Sequence, residues 1–142
     1  MAQKVSLLSL ISVSSEAIAS AIEPALRKGG LSLSLFQLLM AVRAGRGKLT
    51  QAKLAANLGI TPPSLCELIR SASQKDLVAQ LPNPKDKRAK LIALTPKGEE
   101  SLTDAIRLIE SYDKQIRKQL DEDDWQTTIR TLQLVSTLIG DR

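Results

Sequence analysis

Thr50-Gln51-Ala52-Lys53-Leu54-Ala55-Ala56-Asn57-Leu58-Gly59-Ile60-Thr61-Pro62-Pro63-Ser64-Leu65 reads as two short helices hinged at a glycine. Thr50 is an N-cap, because its hydroxyl can accept an orphan N–H of the first turn. Leu54 and Leu58 lie four apart and share the inner face of that helix. Gly59 supplies the left-handed turn residue. Thr61 caps the second helix, and Pro62 stands at its first position, where a missing N–H costs nothing. Leu65, Leu68, Ile69 and Ala72 then form a buried stripe. The opposite face carries Pro63, Glu67, Arg70 and Gln74, flanked by Ser64 and Ser71. Two helices about a tight turn make a helix-turn-helix, whose second helix reads the major groove in DNA-binding versions. A plain helical corner in a bundle fits the same spacing equally well.

The segment after the second helix separates the two. Leu77 to Leu81 and Leu91 to Leu94 predict two strands, joined by Pro82-Asn83-Pro84-Lys85-Asp86-Lys87-Arg88, a turn-rich basic tip. A basic hairpin directly after a helix-turn-helix is a winged helix. Upstream, residues 3–28 predict a helix with Leu7, Leu10, Ile11, Ile18, Ile22 and Leu26 near a 3.6 period. Its first half is apolar on more than one face, which suggests a partner chain. Pro24 is expected to kink or break it. A second helix is expected from about Ser34 to Arg43. Downstream, Thr95-Pro96 starts a helix reaching about Leu120. Asp121 to Asp124 mark the N-terminus of a last helix carrying Trp125, Ile129, Leu132, Val135 and Ile139.

Charge follows this division. The chain of 142 residues has net charge +5, but residues 43–98 alone carry +8, with +1 before them and −4 after. Such a basic block is the electrostatic footprint of a phosphate-binding module, although a solvated basic face has the same composition. Histidine is absent and Cys66 is the one cysteine. That excludes a His/Cys zinc site, a His-activated nucleophile and an internal disulfide. With no clustered acid/base pair or phosphate-cradling glycine loop either, no enzymatic activity and no cofactor are expected. No continuous apolar run reaches the roughly 18 residues of a membrane span, and Val5 to Val13 lacks the flanks of a signal peptide. The expectation is a cytoplasmic protein without a membrane partner.

Three blocks carry a family resemblance: Leu49 to Ala55, Leu58 to Leu65, and Asp86-Lys87-Arg88-Ala89 leading to Leu94-Thr95-Pro96-Lys97-Gly98. With them the chain resembles the MarR (multiple antibiotic resistance regulator) family of winged-helix transcription factors. The resemblance implies a mainly α fold with a small β-hairpin wing. Residues 31–98 would form the winged helix-turn-helix lobe, and 1–30 and 99–142 the dimerisation helices of a single domain. It also implies a homodimer on a pseudo-palindromic operator, repressing transcription and released by a small-molecule effector. The effector site would lie near Phe36, Met40 and the first helix. Helix 61–74 would enter the major groove and the wing, 82–90, the minor groove.

Carried over residue by residue, Arg88 is the wing-tip arginine for the minor groove and Asp86 braces its turn. Lys85, Lys87 and Lys90 meet phosphates. Thr61, Pro63, Ser64, Glu67 and Arg70 face the DNA, Arg70 reaching a guanine and Ser64 a base edge or phosphate. For Arg70 a surface ion pair is the plainer alternative. Some positions depart from the family pattern. Glu67 repels phosphates and serves DNA only as an acceptor for cytosine N4. Asp76 replaces a usual glycine, so a left-handed residue there is strained or the turn differs. Gln80 and Leu81 replace wing-strand arginines, and Ala72 a core leucine. These departures keep open a dimeric adaptor that has lost DNA binding. Cys66, flanking the recognition helix, keeps open a redox-sensing regulator, although an inert small side chain accounts for it more simply.

Overall fold

A computed structural model describes residues 5–140. Among them six helices and two strands are arranged in the order α1 (Leu7–Lys28), α2 (Leu33–Ala44), α3 (Gln51–Leu58), α4 (Pro62–Gln74), β1 (Val78–Pro82), β2 (Lys90–Leu94), α5 (Pro96–Arg117) and α6 (Glu122–Gly140). The expected mainly α architecture with a hairpin wing is the one observed. The chain divides into two compact units, Met1–Ile106 and Arg107–Arg142, and the division falls inside α5.

The first unit is organised around α2. Leu35, Leu38, Leu39 and Val42 are all buried, at the i, i+3, i+4, i+7 spacing that puts them on one face. α2 touches α1, α3, α4 and β2. Leu54 of α3, Leu65 and Ile69 of α4, Ile92 of β2 and Leu102 of α5 complete a core in which these side chains are essentially solvent-free. Truncating any of them to alanine costs roughly 2–5 kcal/mol.

The local stop and start signals act as read. Thr50 and Thr61 accept N–H bonds from Lys53 and Ser64, and Ser32, not singled out in the sequence, accepts from Leu35 to start α2. Gly59 takes the left-handed conformation, φ 64° and ψ 31°. Pro24 does not break α1, which continues to Lys28. Its last turn is anchored by buried Ile22 and Leu26, and the N–H groups of Gly29 and Leu31 close onto the Leu26 carbonyl. The strands pair antiparallel with Val78 opposite Leu94 and Pro82 opposite Lys90, each element displaced about one residue from its expected start. α5 ends at Arg117, short of the expected Leu120.

Three residues tie the wing's base to α5. Asp76 occupies the left-handed region with φ 56°, so of the two outcomes foreseen at this position the strained one holds. Its carbonyl accepts a bond from the Thr95 hydroxyl at 2.5 Å, and Thr95 Oγ1 accepts from the Gly98 N–H at 2.9 Å. Gly98 passes so close to Leu77 that a Cβ there would lie 2.0 Å from the Leu77 carbonyl oxygen.

α1 is the one described helix long and apolar enough to cross a membrane, with mean hydropathy 1.2 over its best window, although serines, Glu16, Glu23 and Arg27 break up its apolar runs. Only 6% of that window is buried, and Val5, Leu7, Leu8, Leu10, Val13 and Ile18 are exposed. In the second unit α6 buries no residue, and Leu132, Leu134, Leu138 and Ile139 are exposed.

Candidate nucleic-acid interface

The candidate interface begins with the cap of α4. Thr61 Oγ1 accepts from the Ser64 N–H and donates to Ser64 Oγ at 2.9 Å, so the two hydroxyls hold one another at the exposed start of the helix. Burying Leu65, Ile69 and Ala72 turns Pro63, Ser64, Glu67, Arg70 and Gln74 to solvent, while Ser71 is half-buried. Glu67 and Arg70 form an ion pair across one helical turn, with their side chains 69% and 62% exposed. Arg70 therefore has the surface partner that was the plainer of its two readings, yet it stays open to solvent.

The wing tip is built by two successive side-chain-to-backbone turns. Asn83 Oδ1 accepts the Lys85 N–H at 3.0 Å, and Asp86 Oδ1 accepts the Arg88 N–H at 2.9 Å. The Asp86 carbonyl also accepts the Ala89 N–H, at 3.2 Å. Short polar side chains bond two residues ahead in this way, and the prolines at 82 and 84 stiffen the flanks. The result projects Lys85, Lys87, Arg88 and Lys90 outward; all four are exposed, and among the described residues no ion pair engages them. Their charges are thus available to an external anion.

A cleft that sequence reasoning did not foresee separates the start of α3 from the wing, lined by Thr50, Gln51, Ala52, Gln80, Arg88 and Lys90. A β-bridge between Thr50 and Leu91 brings these parts together. The cap at Thr50 was the only local signal, because the bridge joins segments remote in sequence. A second concavity runs between α2 and α4 along Ser34, Gln37, Leu58, Leu68 and Ser71. Phe36 and Met40, expected near an effector site, do not line it: Phe36 is half-buried in α2 and Met40 is exposed. Cys66 is exposed with its sulfur 3.8 Å from the Gln51 amide oxygen, a neutral neighbour. Among the described residues no cluster of side chains suits a metal ion.

A braced cationic wing beside a capped, solvent-facing second helix is the geometry against which the relatives can be set. A sequence model of the MarR family matches residues 29–89, the stretch from the end of α1 through the wing tip. Over that stretch the chain is similar to the MarR family. The HTH-type transcriptional regulator YdcH of Bacillus subtilis is 34% identical over 65 residues, a match covering 46% of this chain and 44% of that relative. A mutant MarR from E. coli complexed with operator DNA superposes with a TM-score of 0.79 at 24% identity, covering 91% of this chain and 92% of the other. CouR from Rhodococcus jostii RHA1, bound to p-coumaroyl-CoA, gives 0.77 at 24% identity with 89% of each chain covered. These structural likenesses extend the MarR-like fold beyond the lobe to nearly the whole chain.

Proposed function

We propose that the protein is a homodimeric, sequence-specific DNA-binding repressor of transcription, released from its operator by a small-molecule effector and acting in the cytoplasm. Helix α4 with its cap, residues 61–74, lies in the major groove, and the wing, residues 82–90, reaches the neighbouring minor groove. The observation that carries this reading is the row of unpaired cations, Lys85, Lys87, Arg88 and Lys90, on a rigid hairpin that comes directly after α4. A flexible basic loop would only collect counterions; a braced one holds a guanidinium at a defined depth, where a narrow A·T-rich groove concentrates negative potential. The lysines add affinity without sequence information.

The exposed apolar residues of α1 and those of α6 are the surfaces a second copy would cover. Two lobes related by two-fold symmetry predict half-sites about 10 bp apart. Two relatives support the reading: the E. coli MarR mutant was solved with operator DNA, and CouR with a small ligand.

Binding of the purified protein to duplex DNA at several salt concentrations tests the proposal. Affinity should fall by roughly 0.9 log unit per log unit of salt for each phosphate neutralised. Arg88→Ala should weaken the best site at least about tenfold, the scale of one charge-assisted groove contact. A salt-insensitive complex, or an Arg88→Ala variant of unchanged affinity, would overturn the wing assignment. Absence of any enriched motif would leave the dimeric adaptor.

A further inference from the structure

Helix α4 carries two charged residues, Glu67 and Arg70, and they are paired with each other. Its net charge is zero, whereas the wing tip has four cations against Asp86. A helix meant to grip phosphates would show surplus positive charge; here a carboxylate offsets the arginine's attraction for the backbone. Stabilising the helix does not explain the pair well, since an exposed pair at this spacing contributes a few tenths of a kcal/mol. We infer that Glu67 and Arg70 act as one unit that reads a G·C base pair in the major groove, Arg70 donating to guanine O6 and N7 while Glu67 accepts from cytosine N4.

The inference rests on the DNA-binding reading above and adds the base pair that α4 selects. A guanidinium has five N–H donors and a carboxylate two acceptor oxygens, so the bond joining them leaves donors and an acceptor side by side. The major-groove edge of a G·C pair presents the complementary order: two guanine acceptors, then the cytosine amino donor. An A·T pair places the thymine O4 acceptor and methyl group where the carboxylate would sit, and like partial charges repel. Rejection of A·T is thus built into the pair along with acceptance of G·C. Exposure of both side chains leaves them free to swing onto the base edge without breaking any core contact.

Selection of bound duplexes from a random pool, with the purified full chain at moderate salt, tests this. The unaltered protein should require a G·C pair at one symmetric position in each half-site, and A·T there should weaken binding about 10- to 100-fold. Glu67→Ala should cut that discrimination to a few-fold while strengthening binding to unrelated DNA and steepening its salt dependence. Arg70→Gln should lose the preference for G·C, and adding Glu67→Ala should move it to A·T, because glutamine pairs with adenine N6 and N7 once no carboxylate faces thymine O4. A pair that merely stabilises α4 would instead lower affinity for all sequences alike, with a lower melting temperature. That result, or a motif whose G·C positions ignore both variants, overturns the inference and leaves the DNA-binding reading standing. Failure of the unaltered protein to select any motif overturns both.

Discussion

Gly98 shows what a single hydrogen in place of a methyl group accomplishes. The first turn of α5 lies against the backbone leaving α4, and the Leu77 carbonyl fills the space a side chain would need. The same carbonyl accepts the Thr95 N–H at 3.1 Å, so it cannot withdraw without losing that bond. Gly98→Ala must therefore push α5 away from the base of the wing. We expect a loss of about 3 kcal/mol, the upper part of the overpacking range, seen as a fall of roughly 10 °C in the thermal midpoint. A midpoint within a degree of the parent would contradict the close approach. Asp76, joined to Gly98 through Thr95, carries the complementary strain, held in the left-handed region where glycine is the easier residue.

Helix termini are where this chain's elements declare themselves. Asp121 caps α6 by accepting the Asp124 N–H at 2.8 Å, and Glu122, Asp123 and Asp124 occupy the first turn, where the helix dipole favours negative charge. The Gln126 amide, at 2.9 Å, and the Arg117 guanidinium hold the Glu122 carboxyl below the usual carboxylate range. Arg117 also lies over the Trp125 ring, 5.2 Å from its centroid. A depressed carboxyl pKa adds stability that is complete above the unfolded-state value and is lost as the pH falls through the folded one. Helicity and stability should thus decline below the ordinary carboxylate range, and Glu122→Gln should flatten that acid limb by lowering stability at neutral pH while leaving the most acidic end nearly unchanged. Titrating both proteins by circular dichroism from pH 6 to about pH 3, across the carboxylate range, checks it; identical limbs would show that Glu122 has no part. The caps of α3 and α4, the turn at Gly59 and the cationic wing tip were all legible in the sequence, since each depends on residues within a few positions. The survival of α1 past Pro24 was not, because it hinges on Ile22 and Leu26 finding partners in the core.

At the scale of the molecule, the decisive feature is apolar surface left uncovered. On α6, Leu134 and Leu138 lie one turn apart, 58% and 62% exposed, and α1 presents its own row. In the proposed homodimer a second chain covers these leucines. Leu134→Asp with Leu138→Asp should convert a dimer into single chains in sedimentation. Affinity for a full palindrome should then drop to that of one half-site, at least about a hundredfold. A parent protein that sediments as one chain at micromolar concentration would remove the two-fold arrangement. Helix boundaries, the winged order of elements and the charge concentrated in residues 43–98 come from the chain's own local chemistry, because caps, glycine turns and periodicity act between near neighbours. Two features depend instead on segments distant in the chain: the Gly98–Leu77 approach and the cleft between α3 and the wing. Long-range packing sets where those groups meet, and residue spacing along the chain carries no record of such meetings.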